Sequence, residues 1–234
     1  MSPQFTKKQH IHTRYCIDKF AISSFVEVQI ITAQCTKKLK AKNPIFCGSR
    51  LWDERTEKSS QCIEKAFHHE IDNAICGLGK PRNHQAISDY HLLWWSRHYY
   101  RHNPNQDQRV PDTSNDSLSI QSEINLESNG YMFVNDGIMP ARFLTSVMLW
   151  GFRRSNMHRY EGLQWGLVES YDGEFIVADC YQDVLFMPIS PTKAFIANDH
   201  DGIVTKENVV QLNRLSVSVS AQYYFSSNLG HCPI

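Results

Sequence analysis

The sequence predicts an α+β fold, and three observations carry that expectation. Two long helical patterns sit in the first 102 residues. Most short alternating, strand-like runs fall after residue 160. A polar, acidic stretch separates the two regions. The expected architecture is a helical N-terminal half with at least one strand, then an antiparallel β-hairpin or sheet and a C-terminal helix.

Taken in order, Tyr15 to Phe20 reads as a short helix. In "FVEVQII", Val26, Val28 and Ile30 alternate with Glu27 and Gln29, the pattern of a strand with one wet face. "TKKLKAKNP", residues 36–44, reads as an exposed basic loop. "SSQCIEKAFHHEIDNAICG" is a helix capped by Ser59 or Ser60 and stopped by Gly77. Ile63, Phe67, Ile71, Ala74 and Ile75 share its apolar face, and Glu64, His68 and Asp72 the opposite one. "HQAISDYHLLWWSRHYYRH" is a second helix, ended by Pro104, with Ile87, Tyr90, Leu93 and Trp94 facing the core.

Residues 103–130 are polar and acidic and read as a long loop or disordered insertion. The division is therefore a basic, mainly helical half (1–102), this insertion (103–130), and an acidic α+β half (131–234), together one composite domain. A helix is expected at about 140–155, with Pro140 in its first turn. "LQWGLVES" and "EFIVAD" should form a hairpin around "YDG". "VLFMPIS" and "KAFIA" are further strands. From Thr205 a helix carrying Val209, Leu212, Leu215 and Val219 should run to about residue 222, although "LSVSVSAQYYF" also alternates like a strand.

The chain has 234 residues and no net charge, so bulk attraction to nucleic acid or membrane is not expected. The zero conceals an asymmetry. Residues 1–102 hold 16 Lys and Arg against 9 Asp and Glu, a net of +7; residues 103–234 hold 8 against 15, a net of −7. The two halves can attract each other, or the basic half can present a binding face. Seven cysteines without CxxC spacing, and no signal peptide, point to reduced thiols in a cytoplasm. No apolar run is long enough to span a bilayer.

Some blocks resemble a widespread bacterial family of unknown function whose members begin Lys-x-Gln-His-x-x-Pro-x-x-Tyr-Leu-x-x-Phe. In "KKQHIHTRYCIDKFA", Gln9, His10, Tyr15, Ile17 and Phe20 follow that opening with shifted spacing, and Thr13 stands near the usual proline. Trp52, Asp53, Arg55 and Glu57 match the family's Trp-Asp-x-Arg-x-Glu block. "DYHLLWWSR" looks like its aromatic, Arg-terminated helix. Asp179, Pro188, Ser190 and Pro191 match its late segment, whereas Ala178 and Tyr181 depart from it. The resemblance implies an architecture more than an activity. It also implies bacteria and their mobile elements, and so a role in conflict between host and element.

Two functions follow. In the first, the chain is a non-enzymatic binding protein, without cofactor, that takes a protein or nucleoprotein target, with nucleic acid itself a further option. Trp94, Arg97, Tyr100 and Arg101 in "WWSRHYYRH" combine the arginine and aromatic groups that grip single strands or form interface hot spots, and Lys37 and Lys38 add charge. In the alternative, His10, Asp53, Glu57 and Asp179 build the Mg²⁺ or Mn²⁺ site of a nuclease or related hydrolase. Glu64, His68 and Asp72, and separately His98 and His102, have the helical spacing of metal ligands or of a solvated face. There is no Walker loop, GxGxxG, GxSxG or HExxH, which argues against a classical kinase, dehydrogenase or hydrolase.

Overall fold

The structure is a computed structural model and describes residues 6–77, 79–111 and 117–234. Along the chain come β1 (Lys8–His10), α1 (Arg14–Asp18), β2 (Val26–Ile30), β3 (Cys35–Leu39), β4 (Cys47–Ser49), α2 (Glu54–Ile75) and α3 (His84–His102). Then follow β5 (Gln108–Arg109), α4 (Ile120–Ser128), β6 (Ile138–Met139), α5 (Ala141–Asn156), β7 (Trp165–Ser170), β8 (Val177–Ala178), β9 (Phe186–Ser190), β10 (Lys193–Ala197), β11 (Gly202–Val204), α6 (Lys206–Val219) and β12 (Tyr223–Ser226). The class is α+β. The strands are not confined to the second half, because four of them precede the first long helix.

Among the described residues two four-stranded sheets, in the orders β11-β7-β10-β9 and β3-β2-β12-β8, carry most of the β structure, and β1 pairs with β4 and β5 with β6 in two-stranded sheets. The second four-stranded sheet joins the two ends of the chain: Val28 of β2 lies opposite Phe225 of β12. The buried faces of the two four-stranded sheets meet α2 and α3 in a core that includes Phe20, Phe46, Phe67, Tyr90, Trp94, Trp165 and Phe195. Phe67 and Tyr90 stack at 4.0 Å between ring centroids and lock the two long helices together.

Several expectations need correction. The basic loop at 36–44 contains β3, an edge strand paired with β2, Lys37 opposite Val28 and Lys38 opposite Glu27. Backbone pairing needs no apolar side chain at an edge, where lysines also discourage further strand addition. α2 begins at Glu54 rather than after a cap at Ser59 or Ser60. Asp53 caps it by accepting the Thr56 amide at 2.7 Å, and Glu54 and Glu57 in the first turn favour the helix dipole. Ser59 and Ser60 donate instead to the Thr56 carbonyl from within the helix. The C-terminal stop holds: Gly77, at φ +134°, donates its amide to the Ala74 carbonyl.

Residues 103–130 are not simply a loop. They include β5 and α4, with Ser119 capping α4 through the Ser122 amide; residues 112–116 lie outside the described residues. Pro140 is the cap residue before α5 rather than a member of its first turn. The expected hairpin at 163–179 does not form. Trp165, Gly166, Leu167 and Val168 are all buried, so β7 is an interior strand and takes β10 and β11 as partners. β8 crosses to the other sheet and pairs with β12. β9 and β10 do form a hairpin. α6, capped by Thr205 as expected, ends at Val219, and the tyrosine-rich tail becomes β12.

Candidate functional site

The N-terminal segment is an anchor. Gln9 is fully buried; its amide nitrogen donates to the Trp52 carbonyl at 2.8 Å and its amide oxygen accepts the Trp52 amide at 3.2 Å. His10 sets a ring nitrogen 3.1 Å from the Ala41 carbonyl, and burial lowers its pKa. His12 stacks on Trp94 at 3.9 Å and is held neutral, its pKa driven by burial to about 3.

The Trp52–Glu57 block is also committed locally. Asp53 is the buried cap of α2, and its amide donates to the Ser146 hydroxyl. The Trp52 indole donates to Glu57 at 2.6 Å, and burial raises the Glu57 pKa. Arg55 is exposed and 3.9 Å from Asp53. The stripe Glu64, His68 and Asp72 forms no metal cluster among the described residues, and of the three Asp72 is exposed. Glu64 receives Arg97; His68 stacks on Tyr15 at 4.1 Å and touches the Thr13 hydroxyl; Asp72 accepts from Tyr15 and Lys19.

Of the residues expected to grip a target, Trp94 is buried and donates its indole N–H to the Asp179 carbonyl. Arg97, 2% exposed, pairs with Glu64 at 2.6 Å and lies 5.1 Å over the Trp52 ring. Arg101 donates to the Ile45 carbonyl at 2.7 Å, and Tyr100 is half-buried near Phe152. Lys37 and Lys38 stay exposed on β3, Lys38 3.6 Å from Glu27. Lys8, Lys38, Lys40 and Lys42 border one shallow depression beside Phe25.

Asp179 is the residue of the expected metal set that does meet other ligand types. It lies just after β8, and its two oxygens accept the amides of Ala221 (3.0 Å) and Gln222 (2.7 Å). His98 and His102, one turn apart on α3, face it; the ligand atoms of all three lie within 4.8 Å of one another. Among the described residues this is the one such cluster, and it does not include His10, Asp53 or Glu57.

Sequence reading did not single out a groove between α2 and α5. It encloses about 360 Å³, and Arg55, Thr56, Leu93, Trp150 and Arg153 are among its walls. Trp150 is 59% exposed, with the Arg154 guanidinium 5.2 Å from its ring. The Nε of Arg153 is buried without a hydrogen-bond partner among the described residues. The signal in the sequence was "VMLWGFRR", whose Val147, Met148 and Trp150 are surplus to the core face of α5. No family model, curated protein or solved structure matches the chain. Among the described residues no helix is long and apolar enough to cross a membrane.

Proposed function

We propose that this chain is a non-enzymatic binding protein that takes a protein or nucleoprotein target in the groove between α2 and α5. The observation that carries the reading is the exposed Trp150 beside the Nε–H of Arg153, which has no hydrogen-bond partner among the described residues. A large aromatic with most of its surface in water and a desolvated cation nearby is the composition of an interface hot spot. Arg55, Arg153 and Arg154 set the partner's chemistry: an acidic segment carrying an apolar side chain that covers Trp150 and Val147. Lys37 and Lys38 on β3 suit the phosphates of a nucleoprotein. The setting is the bacterial cytoplasm and conflict between host and mobile element, as the resemblance of the Trp52–Glu57 block suggests.

The test is affinity capture from the native host with the wild type and with Trp150→Ala, analysed by native mass spectrometry at two salt concentrations. A stoichiometric acidic partner that is lost from Trp150→Ala, with an unchanged melting temperature, is the expected result. Equal capture by both proteins, or no stoichiometric partner for the wild type, overturns the reading. The alternative, a Mg²⁺- or Mn²⁺-dependent hydrolase, draws support from Asp179 alone, since Asp53 and Glu57 are engaged in capping and in the Trp52 contact.

A further inference from the structure

We infer that His98, His102 and Asp179 form a binding site for one divalent transition-metal ion of the zinc class. The site goes beyond the binding function proposed above and does not depend on it.

The first support is geometry. Residues four apart on a helix project from one face, so α3 presents both imidazoles side by side, with ring centroids 4.3 Å apart. The carboxylate comes from a different element and is fixed before any ion arrives. Each of its oxygens holds a backbone amide, and the Asp179 amide itself donates to the Tyr223 carbonyl. The Asp179 carbonyl is held by the Trp94 indole, from the same helix that carries the histidines. Such outer contacts aim a ligand and keep its remaining lone pairs free for a cation.

The second support is an unmet demand. His98 is 6% exposed, yet its Nε2 has no hydrogen-bond partner among the described residues. It sits 3.6 Å from the nearer Asp179 oxygen, within range of an ion pair if the ring is protonated but beyond hydrogen-bond reach for the neutral ring. A buried ring nitrogen without a partner is costly. An ion between His98 and Asp179 would satisfy it, since two ligands of one tetrahedral zinc stand about 3 to 4 Å apart given bond lengths near 2 Å.

The donor set agrees. Two imidazoles and one carboxylate suit zinc or Fe(II), whereas Mg²⁺ prefers an all-oxygen set. His102 is solvent-exposed, so an ion can enter from that side and keep an exchangeable water there.

The test is titration of chelator-stripped full-length protein with Zn²⁺ by calorimetry and with Co²⁺ by visible absorption. One equivalent of zinc, and a cobalt d–d band typical of nitrogen and oxygen ligands, are expected. His102→Ala removes an exposed side chain; it should keep the wild-type melting temperature and lose at least about tenfold in zinc affinity. Asp179→Asn should lose the same affinity. Absence of zinc uptake by the folded wild type overturns the assignment. So does zinc binding by His102→Ala equal to wild type, which would place the ion elsewhere.

Discussion

Replacing Arg97 separates a structural arginine from a target-binding one. Its guanidinium is 2.6 Å from Glu64 and 5.1 Å over the Trp52 ring, and the residue is 2% exposed. Arg97→Met keeps most of the volume but leaves Glu64 facing the vacated site. Removing one member of a buried pair costs about 3–5 kcal/mol. The Glu64 side chain retains 19% exposure, so water can reach it, and the lower end, about 3 kcal/mol, applies. At about 2–4 °C per kcal/mol for a chain of this size, the melting temperature should fall by about 6–12 °C. Adding Glu64→Leu removes the stranded carboxylate, so the double variant should recover most of the loss. Differential scanning calorimetry on the four proteins of this cycle gives the answer. A single variant that melts within about 2 °C of wild type while failing to capture its target would refute the structural reading and return Arg97 to the interface.

Two further outcomes follow from burial and close packing. His91 donates to the Val184 carbonyl at 3.0 Å through Nε2, and in the neutral ring Nδ1 accepts from the Tyr160 hydroxyl at 2.8 Å; burial lowers its pKa to about 4. The unfolded chain takes up that proton near pH 6.5 and the folded one near pH 4. Stability should therefore fall as pH drops through that window, by about 3 kcal/mol from this residue. His91→Gln should flatten that part of the urea-midpoint profile against pH; an unchanged slope would remove His91 as its source. In Gly166→Ala, a Cβ would stand 2.4 Å from the Asp199 carbonyl oxygen. The strand must shift, at about 1–3 kcal/mol, and a urea midpoint equal to wild type would show that the 199–200 loop yields freely.

The elements legible in the sequence were those whose signals are local. The extents of α3 and of the strands β9 and β10 could be read from periodicity and breakers because those signals lie in their own residues. What escaped was decided by partners far along the chain. β7 looked like half of a hairpin, but nothing within residues 163–179 says that β10 and β11 will cover both its sides. The end of α6 is set in part by Asp179, about 40 residues away, whose carboxylate takes the amides of Ala221 and Gln222 and turns the chain out of the helix.

The same physics explains the candidate site. An arginine beside aromatics in "WWSRHYYRH" reads as a gripping surface only if the helix lies at the periphery. α3 instead packs against both α2 and α5, so its aromatic and basic groups turn inward and are spent on Trp52, Glu64 and Ile45. Inward burial of that length of helix brings His98 to Asp179 and leaves the His98 Nε2 buried without a hydrogen-bond partner among the described residues. α5 covers α3 with Leu149 and turns Val147 and Trp150 outward. The exposed Arg–Trp combination thus belongs to the covering helix rather than the covered one. A sequence that shows the same residue types on both helices does not say which is outermost; the packing order does.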